Sequence, residues 1–354
     1  MICMRNYMTG KKIFQLILIF FFVISSGQSN FRKIDSLAIN TKYKGDLNQL
    51  VFDLTNNQKS DVDKTRAIYS WIAENISYDY KLFNKGKKKV FFKCKDDCSI
   101  KHKEVENKLV EKVLRKRKGV CSGYSTLFKR MCDIAKITCL NIDGYVKTKS
   151  THIGNTGILD HAWNAVIIDN KTYFIDLTWA SGYCEIDKTK KLTNFIKKKN
   201  EFYWFTPTEK FIVDHFPKNP DKVLNFDIRK DDYKNQPYIE NSIIPYIEIE
   251  SPKQGVIKAK LNDSIVFKFK YSKGIKKLQI NTNLKRNPKF YFTNKKGERV
   301  FNQKAFDKQE YIPYEMTEND YTFFYVMENE NIKYIEILFD YDLKLKYLIK
   351  FDQD

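Results

Sequence analysis

The stretch Lys118-Gly119-Val120-Cys121-Ser122-Gly123-Tyr124-Ser125-Thr126-Leu127-Phe128 constrains this chain more than any other. It reads as a loop that becomes a helix at a cysteine. Gly119 permits a tight backbone approach. From Cys121 onward the apolar residues Tyr124, Leu127, Phe128, Met131, Cys132 and Ala135 fall at helical spacing. That spacing puts Cys121 in the first turn, where unpaired N–H groups and the macrodipole favour an anion. A thiol so placed has a lowered pKa, and the thiolate is the form that attacks carbon. Such a sulfur needs a base, and the rest of the chain can be searched for one.

With 354 residues the chain is long enough for two domains with real cores. At 42% hydrophobic and 30% charged it is globular in composition, not disordered. Its 27 Phe and 22 Tyr suit a β-rich portion. The formal net charge of +20 has two readings. One is a footprint for an anionic partner, such as a cell-envelope surface or an acidic polymer. The other is a compositional bias toward Lys, Asn and Ile, which the even spread of the lysines favours. No nucleic-acid motif is present, so no nucleic-acid partner is expected.

Residues 1–27 read as an export signal. Arg5, Lys11 and Lys12 form a basic start, Ile13 to Ile24 is apolar except for Gln15, and Ser25-Ser26-Gly27 supplies small residues for cleavage. The apolar run is short for a bilayer span. No cysteine follows it to take a lipid, and an uncleaved anchor is the alternative. The mature chain is expected to be soluble, secreted or periplasmic, with no transmembrane span.

Residues 28–60 read as a lead-in helix and loops. Ser60-Asp61 offers an N-cap for a helix over Lys64 to Ile76, with Ala67, Ile68, Trp71, Ile72 and Ile76 as its apolar stripe. The stretch Cys94-Lys95-Asp96-Asp97-Cys98 with His102 could present three zinc ligands, one short of a structural site. A Cys94–Cys98 disulfide or a pair of free thiols fits an oxidising compartment better. No metal or cofactor is expected. A second helix, Lys103 to Lys118, turns Val105, Leu109, Val113 and Leu114 inward.

After the cysteine helix, Ile137 to Val146 is a strand by content, and His161 to Ile168 reads as a buried strand. Asp169-Asn170 is a turn signal, and Lys171 to Leu177 is the returning strand. With a two-residue loop, Ile168 faces Lys171 and Trp163 faces Asp176. His161, two residues from Trp163, then shares a face with Asp176, about 7–8 Å away as a diagonal neighbour. A three-residue loop would reverse the parity unless a bulge restored it. Packing the cysteine helix on that face would complete a Cys-His-Asp triad. Cys121 would be the nucleophile toward an amide or thioester-like carbonyl. His161 would take its proton and return one to the leaving amine, and Asp176 would fix the imidazole tautomer. The Cys121 N–H is a natural oxyanion donor. Cys132 and Cys139 read as small buried hydrophobes. His102, His152 and His215 have no comparable context.

Three segments carry a resemblance: Gly119 to Ser125, Asp160-His161-Ala162-Trp163-Asn164-Ala165-Val166, and Tyr173-Phe174-Ile175-Asp176-Leu177-Thr178-Trp179-Ala180. They resemble the three motifs of the transglutaminase-like superfamily, in its kyphoscoliosis-peptidase and cytokinesis-protein-3 branch. The lead-in Thr65 to Ile72 and the stretches Phe205 to Phe211 and His215-Phe216-Pro217 are also similar to that branch. The likeness spans residues 60–225 in motif order. It implies an α+β, papain-like transglutaminase-like core with Cys121, His161 and Asp176 as the triad. It also implies a cysteine peptidase or acyltransferase acting on a protein or peptide substrate, in a family that includes members without activity.

From residue 240 the pattern turns to period two. Phe267, Phe269 and Tyr271 alternate with lysines, and Tyr321 to Met327 is aromatic and β-prone. Tyr334 to Phe339 and Leu343 to Leu348 read as a terminal hairpin across Asp340-Tyr341-Asp342. These features predict a C-terminal β-sandwich. The expected plan is a signal peptide over 1–27, a lead-in over 28–60, a catalytic domain over 61–230 and a β-sandwich over 240–354. The sandwich would serve as a wall for the catalytic domain or as a binding surface.

Overall fold

The computed structural model describes residues 31–86, 98–223, 226–294 and 296–351. Residues 1–27, read from the sequence as an export signal, lie outside the described residues, as do Cys94 and the Cys98 side chain on which the zinc and disulfide readings rest. Among the described residues no helix is long and apolar enough to cross a membrane. The chain forms two compact units, one drawn from Met1–Asn141 and Ala162–Phe205, the other from Ile142–His161 and Thr206–Asp354.

The first unit opens with helices α1 (31–40), α2 (Leu47–Thr55) and α3 (Asp61–Asn75). Ser60 caps α3 as expected, its hydroxyl accepting from Asp63 N–H at 3.1 Å. Every residue from Thr65 to Ala73 is buried, so α3 is a central helix and not a surface stripe. Trp71 is fully buried and donates its indole N–H to the Thr41 carbonyl at 2.9 Å.

Strand β1 (Ser77–Tyr78) and helix α4 (Tyr80–Asn84) follow. Helix α5 (Cys98–Lys116) begins before the expected start and ends two residues early. Arg117 takes a positive φ of 52°, which stops the helix and releases Lys118–Gly119 as strand β2. Val105 is 40% exposed, and Val110 joins Val113 and Leu114 in the core instead. The short strand β2 pairs in parallel with β1, an unread contact that fixes the chain just ahead of Cys121.

Helix α6 (Cys121–Ile134) buries Tyr124, Leu127, Phe128, Met131 and Cys132, the face read from the sequence. Each such large side chain contributes roughly 1.5–3 kcal/mol on leaving water. Strand β3 (Thr138–Val146) leads on to β4 (Ile158–Ile168) and β5 (Lys171–Ile175), and the sheet order is β5-β4-β3-β8, where β8 is His215–Pro217. Asp169 and Asn170 have φ of 50° and 58°, the doubly left-handed turn of a two-residue hairpin. The β4–β5 ladder runs from Ile168↔Lys171 to Asn164↔Ile175, the expected register.

One detail differs. Asp176 is not on the returning strand but caps helix α7 (Leu177–Ser181). Its carboxylate takes the first N–H groups of that helix, so the strand ends at Ile175. The hairpin of β6 (Gly182–Ile186) and β7 (Leu192–Lys197) completes the unit.

In the second unit, β8 pairs with the end of β3 through Gly144↔Pro217, Tyr145↔Phe216 and Val146↔His215. Strand β9 (Tyr238–Ile239) joins the sandwich at its edge. One sheet holds β10 (Ile247–Ser251), β12 (Ser264–Tyr271), β17 (Asp320–Val326) and β16 (Glu315–Thr317). The other holds β11 (Val256–Ala259), β19 (Asp342–Phe351), β18 (Tyr334–Phe339) and β13 (Leu278–Thr282). A hairpin of β14 (Tyr291–Thr293) and β15 (Arg299–Phe301) stands apart from both sheets.

Strand β12 alternates exposed and buried along its whole length. Its inward rings meet the opposite sheet, Phe267 against Tyr347 at 5.2 Å and Phe269 against Phe339 at 5.3 Å. This is the expected β-sandwich. The terminal hairpin turns on Asp340-Tyr341 alone, both with positive φ, because Phe339 pairs directly with Asp342. A register shift between Ile337 and Leu338 absorbs the difference.

Candidate active site

In the first unit, Cys121 is the first residue of α6 and is 6% exposed. Val120, in extended conformation, is the N-cap and offers no side-chain bond. Its carbonyl takes the N–H groups of Gly123 at 2.8 Å and Tyr124 at 3.1 Å. The sulfur thus stands at the positive end of the helix dipole.

Three contacts hold that helix start. Ser77 N–H donates to the Arg117 carbonyl and Asp79 N–H to the Gly119 carbonyl, each at 2.9 Å. The buried Tyr124 hydroxyl donates to the Ile76 carbonyl at 2.9 Å. A Cβ on Gly123 would lie 2.9 Å from Val113 Cγ2, so the glycine lets α6 and α5 approach closely.

Asn164, fully buried on β4, was not singled out by the sequence. Its Nδ2 donates to Asn141 Oδ1 at 2.8 Å, to the Ser125 carbonyl at 3.1 Å and to the Leu140 carbonyl at 3.3 Å. One amide therefore ties β4 to β3 and to α6. The signal lay in the Trp163-Asn164 pair of the second motif, since a buried amide on a strand has to find partners.

Asp176 is fully buried. Its Oδ1 accepts from Thr178 N–H at 2.8 Å and Trp179 N–H at 3.2 Å. Its own N–H donates to the Tyr203 carbonyl at 3.3 Å. The β4–β5 ladder ends at Asn164↔Ile175, one residue short of Asp176.

In the second unit, His161 is 9% exposed, and on β4 it shares the face of Trp163. Its ring lies 5.6 Å from that of His215, tilted by 52°. His215 was expected to lack any such context; instead it is fully buried with its Nδ1 2.5 Å from Asp214 Oδ1. Sequence could not pair it with His161, because the approach depends on β8 docking to β3. His102 is exposed on α5. His152 is buried, and burial with Lys149 and Lys147 nearby holds its imidazole below the ordinary range.

Among the described residues, Cys121, Cys132, Cys139 and Cys184 are not joined in disulfides. Cys132 and Cys139 are both buried, as read, and Cys139 Sγ also accepts from Asn164 Nδ2 at 3.7 Å. Burial and the neighbouring Cys139 push the Cys132 thiol well up, and burial pushes Cys184 to about 11.

The family model described as the Transglutaminase-like superfamily matches residues 48–177, a span that includes Cys121, His161 and Asp176. Kyphoscoliosis peptidase of Mus musculus is 36% identical over 191 residues, covering 53% of this chain and 26% of that protein. The LIM and transglutaminase domain protein ltd-1 of Caenorhabditis elegans is 26% identical over 267 residues, covering 68% of this chain and 34% of that protein. Cytokinesis protein 3 of Schizosaccharomyces pombe is 29% identical over 111 residues, covering 31% of this chain and 12% of that protein. The chain thus spans about a quarter of the length of kyphoscoliosis peptidase. Residues 48–177 thus match as a transglutaminase-like domain, and the chain is similar over part of its length to kyphoscoliosis peptidase and cytokinesis protein 3.

Proposed function

We propose that this chain is an exported cysteine-dependent enzyme that acts on peptide or glutamine carboxamide bonds through a thioester. Cys121 is its nucleophile, His161 its base and acid, and Asp176 the residue that orients the imidazole. The Cys121 proton passes to His161 as sulfur attacks the carbonyl carbon. The oxyanion is met by the Cys121 N–H at the helix start. Collapse breaks the C–N bond, the leaving nitrogen takes the proton from the imidazolium, and the acyl group stays on sulfur. Water completes a hydrolysis, and an amine completes a transfer.

The observation that carries this reading is the β4–β5 register, with Ile168↔Lys171 closing a two-residue turn. It keeps His161 on the Trp163 side of the strand, the parity a His–Asp pair requires. The helix-start position of Cys121 supports the nucleophile role. The test is a peptide-library cleavage screen, run with and without an amine acceptor, on the wild type, Cys121→Ala and His161→Gln. Both variants are expected to lose turnover, and turnover retained in Cys121→Ala sinks the enzyme reading.

The small exposure of Cys121, 6%, favours a second reading. In it the domain is a non-catalytic binding or scaffold protein of the cell envelope. Partner binding would then survive Cys121→Ala, and Cys121 would resist iodoacetamide.

Export rests on the basic, apolar and small-residue succession of residues 1–27. A protein recovered outside the cytoplasm is expected to begin after Gly27. The net charge of +20 supports an acidic polymer or envelope surface as partner, with binding lost at high salt.

A further inference from the structure

The proposed triad does not use the Asp214–His215 pair, yet the chain buries both side chains. His215 is fully buried and Asp214 is 1% exposed. Taking a carboxylate and an imidazole out of water is costly unless they satisfy each other. Here they meet at 2.5 Å, Nδ1 to Oδ1, while Asp214 Oδ2 has no hydrogen-bond partner among the described atoms. The carboxylate is thus committed to one imidazole nitrogen, which fixes where that ring carries a proton.

The surroundings hold the pair still. Val146↔His215 pins it to β3. Lys147 N–H and the Tyr233 hydroxyl both donate to the Asp214 carbonyl, at 2.9 and 3.2 Å. Phe211 stacks on the His215 ring at 4.1 Å. The ring so fixed lies against the proposed catalytic imidazole, centroid to centroid 5.6 Å.

We infer that His215, held by Asp214, is a positioning residue for His161. It limits the orientations open to the His161 ring, and so keeps it turned for the proposed partner Asp176 to fix the tautomer that can accept the Cys121 proton. This rests on the reading of His161 as the catalytic base. It adds a second carboxylate–imidazole pair to the proposed triad, one that touches no substrate.

The test uses the full chain and three variants: Asp214→Asn, which keeps the shape, His215→Phe, and the double variant, which leaves no buried charge unpaired. The first readout is the rate of Cys121 alkylation by iodoacetamide across pH. Each folded variant is expected to fall about tenfold at neutral pH, with a displaced pH profile and an unchanged rate at Cys184. The second readout is the ring 15N spectrum. In the wild type, His215 should carry a hydrogen-bonded Nδ1 proton and His161 a single tautomer. Asp214→Asn should lose the first and mix the second.

Folded variants with the wild-type alkylation profile and a single His161 tautomer would overturn the inference. So would a wild-type spectrum without the His215 Nδ1 proton, even if no variant folds. If wild-type Cys121 is no faster than Cys184 and His161→Gln changes nothing, the enzyme reading fails by itself. The tautomer of His161 still judges the positioning role.

Discussion

Asn164 Nδ2 donates to the Ser125 carbonyl at 3.1 Å, one helical turn after Cys121 and three residues after His161 along β4. The same amide reaches Asn141 Oδ1 and the Leu140 carbonyl. One buried amide therefore joins helix α6, which starts at Cys121, to two strands of the sheet.

Asn164→Ala strips a donor from buried acceptors and should cost about 1–3 kcal/mol, read by urea unfolding. Asn164→Asp should cost more, because an acceptor-only carboxylate would face three oxygens in a site closed to water. An aspartate variant as stable as the alanine one would mean that water or a rotated side chain relieves the clash. The tie would then matter little to the helix start.

The four cysteines with described side chains predict an order of alkylation among themselves. Cys184 is pushed to about 11 by burial, so at neutral pH only about one molecule in 10⁴ carries its thiolate. Cys132 is fully buried and shifted upward as well. Of these four, Cys121 is the one at the start of a long helix. Brief iodoacetamide treatment at neutral pH, followed by peptide mapping, should label Cys121 first. Cys184 should catch up only as the pH approaches 11. A Cys121 that lags behind Cys184 at neutral pH would favour the scaffold reading.

Much of the site's frame was legible. The Asp169-Asn170 turn fixed the β4–β5 register, because a two-residue loop leaves one parity for every side chain that follows. The Cys121 helix face was legible because its apolar residues repeat at the helical period. Asp176 leaving the strand was not, since a carboxylate that caps a helix looks in sequence like the end of a strand. The β1–β2 pair was invisible for another reason. Two residues carry no period, and their partners lie some forty positions apart. His215 was passed over because its place depends on which strand β8 joins, and only tertiary packing decides that. The β6–β7 hairpin hid in a lysine-rich stretch whose alternation is weak.

Gly123 tests the packing of the helix start. Alanine there would gain up to about 1 kcal/mol of helix propensity. Its Cβ, however, would come within 2.9 Å of Val113 Cγ2. Valine on a helix has one favoured rotamer and cannot swing aside. Overpacking of this kind costs about 1–3 kcal/mol, so Gly123→Ala should lower the melting temperature. Val113→Ala should restore most of the loss in the double variant. A Gly123→Ala that raises stability by itself would show that α5 yields at that point.

Arg66 predicts the acid limb of the stability profile. Its guanidinium, 4% exposed, bonds Asp35 and Glu201 at 2.7 Å each, and Lys199 reaches the same two carboxylates at 3.0 Å. Phe31, Tyr69 and Trp204 surround it at 5.0–5.2 Å. Burial alone would raise the Asp35 carboxyl, but hydrogen bonds from Arg66, Ser70 and Lys199 outweigh it and hold Asp35 at about 2. A carboxylate depressed in the folded state contributes stability above its unfolded value, near 4, and loses it as the pH falls toward 2. The contribution is about 2 kcal/mol by linkage. Asp35→Asn should therefore be markedly less stable than the wild type at neutral pH and converge with it near pH 2. Urea unfolding across that range reads the difference. Parallel acid limbs in the two proteins would mean that Glu201 and Lys199, not Asp35, carry the coupling to Arg66.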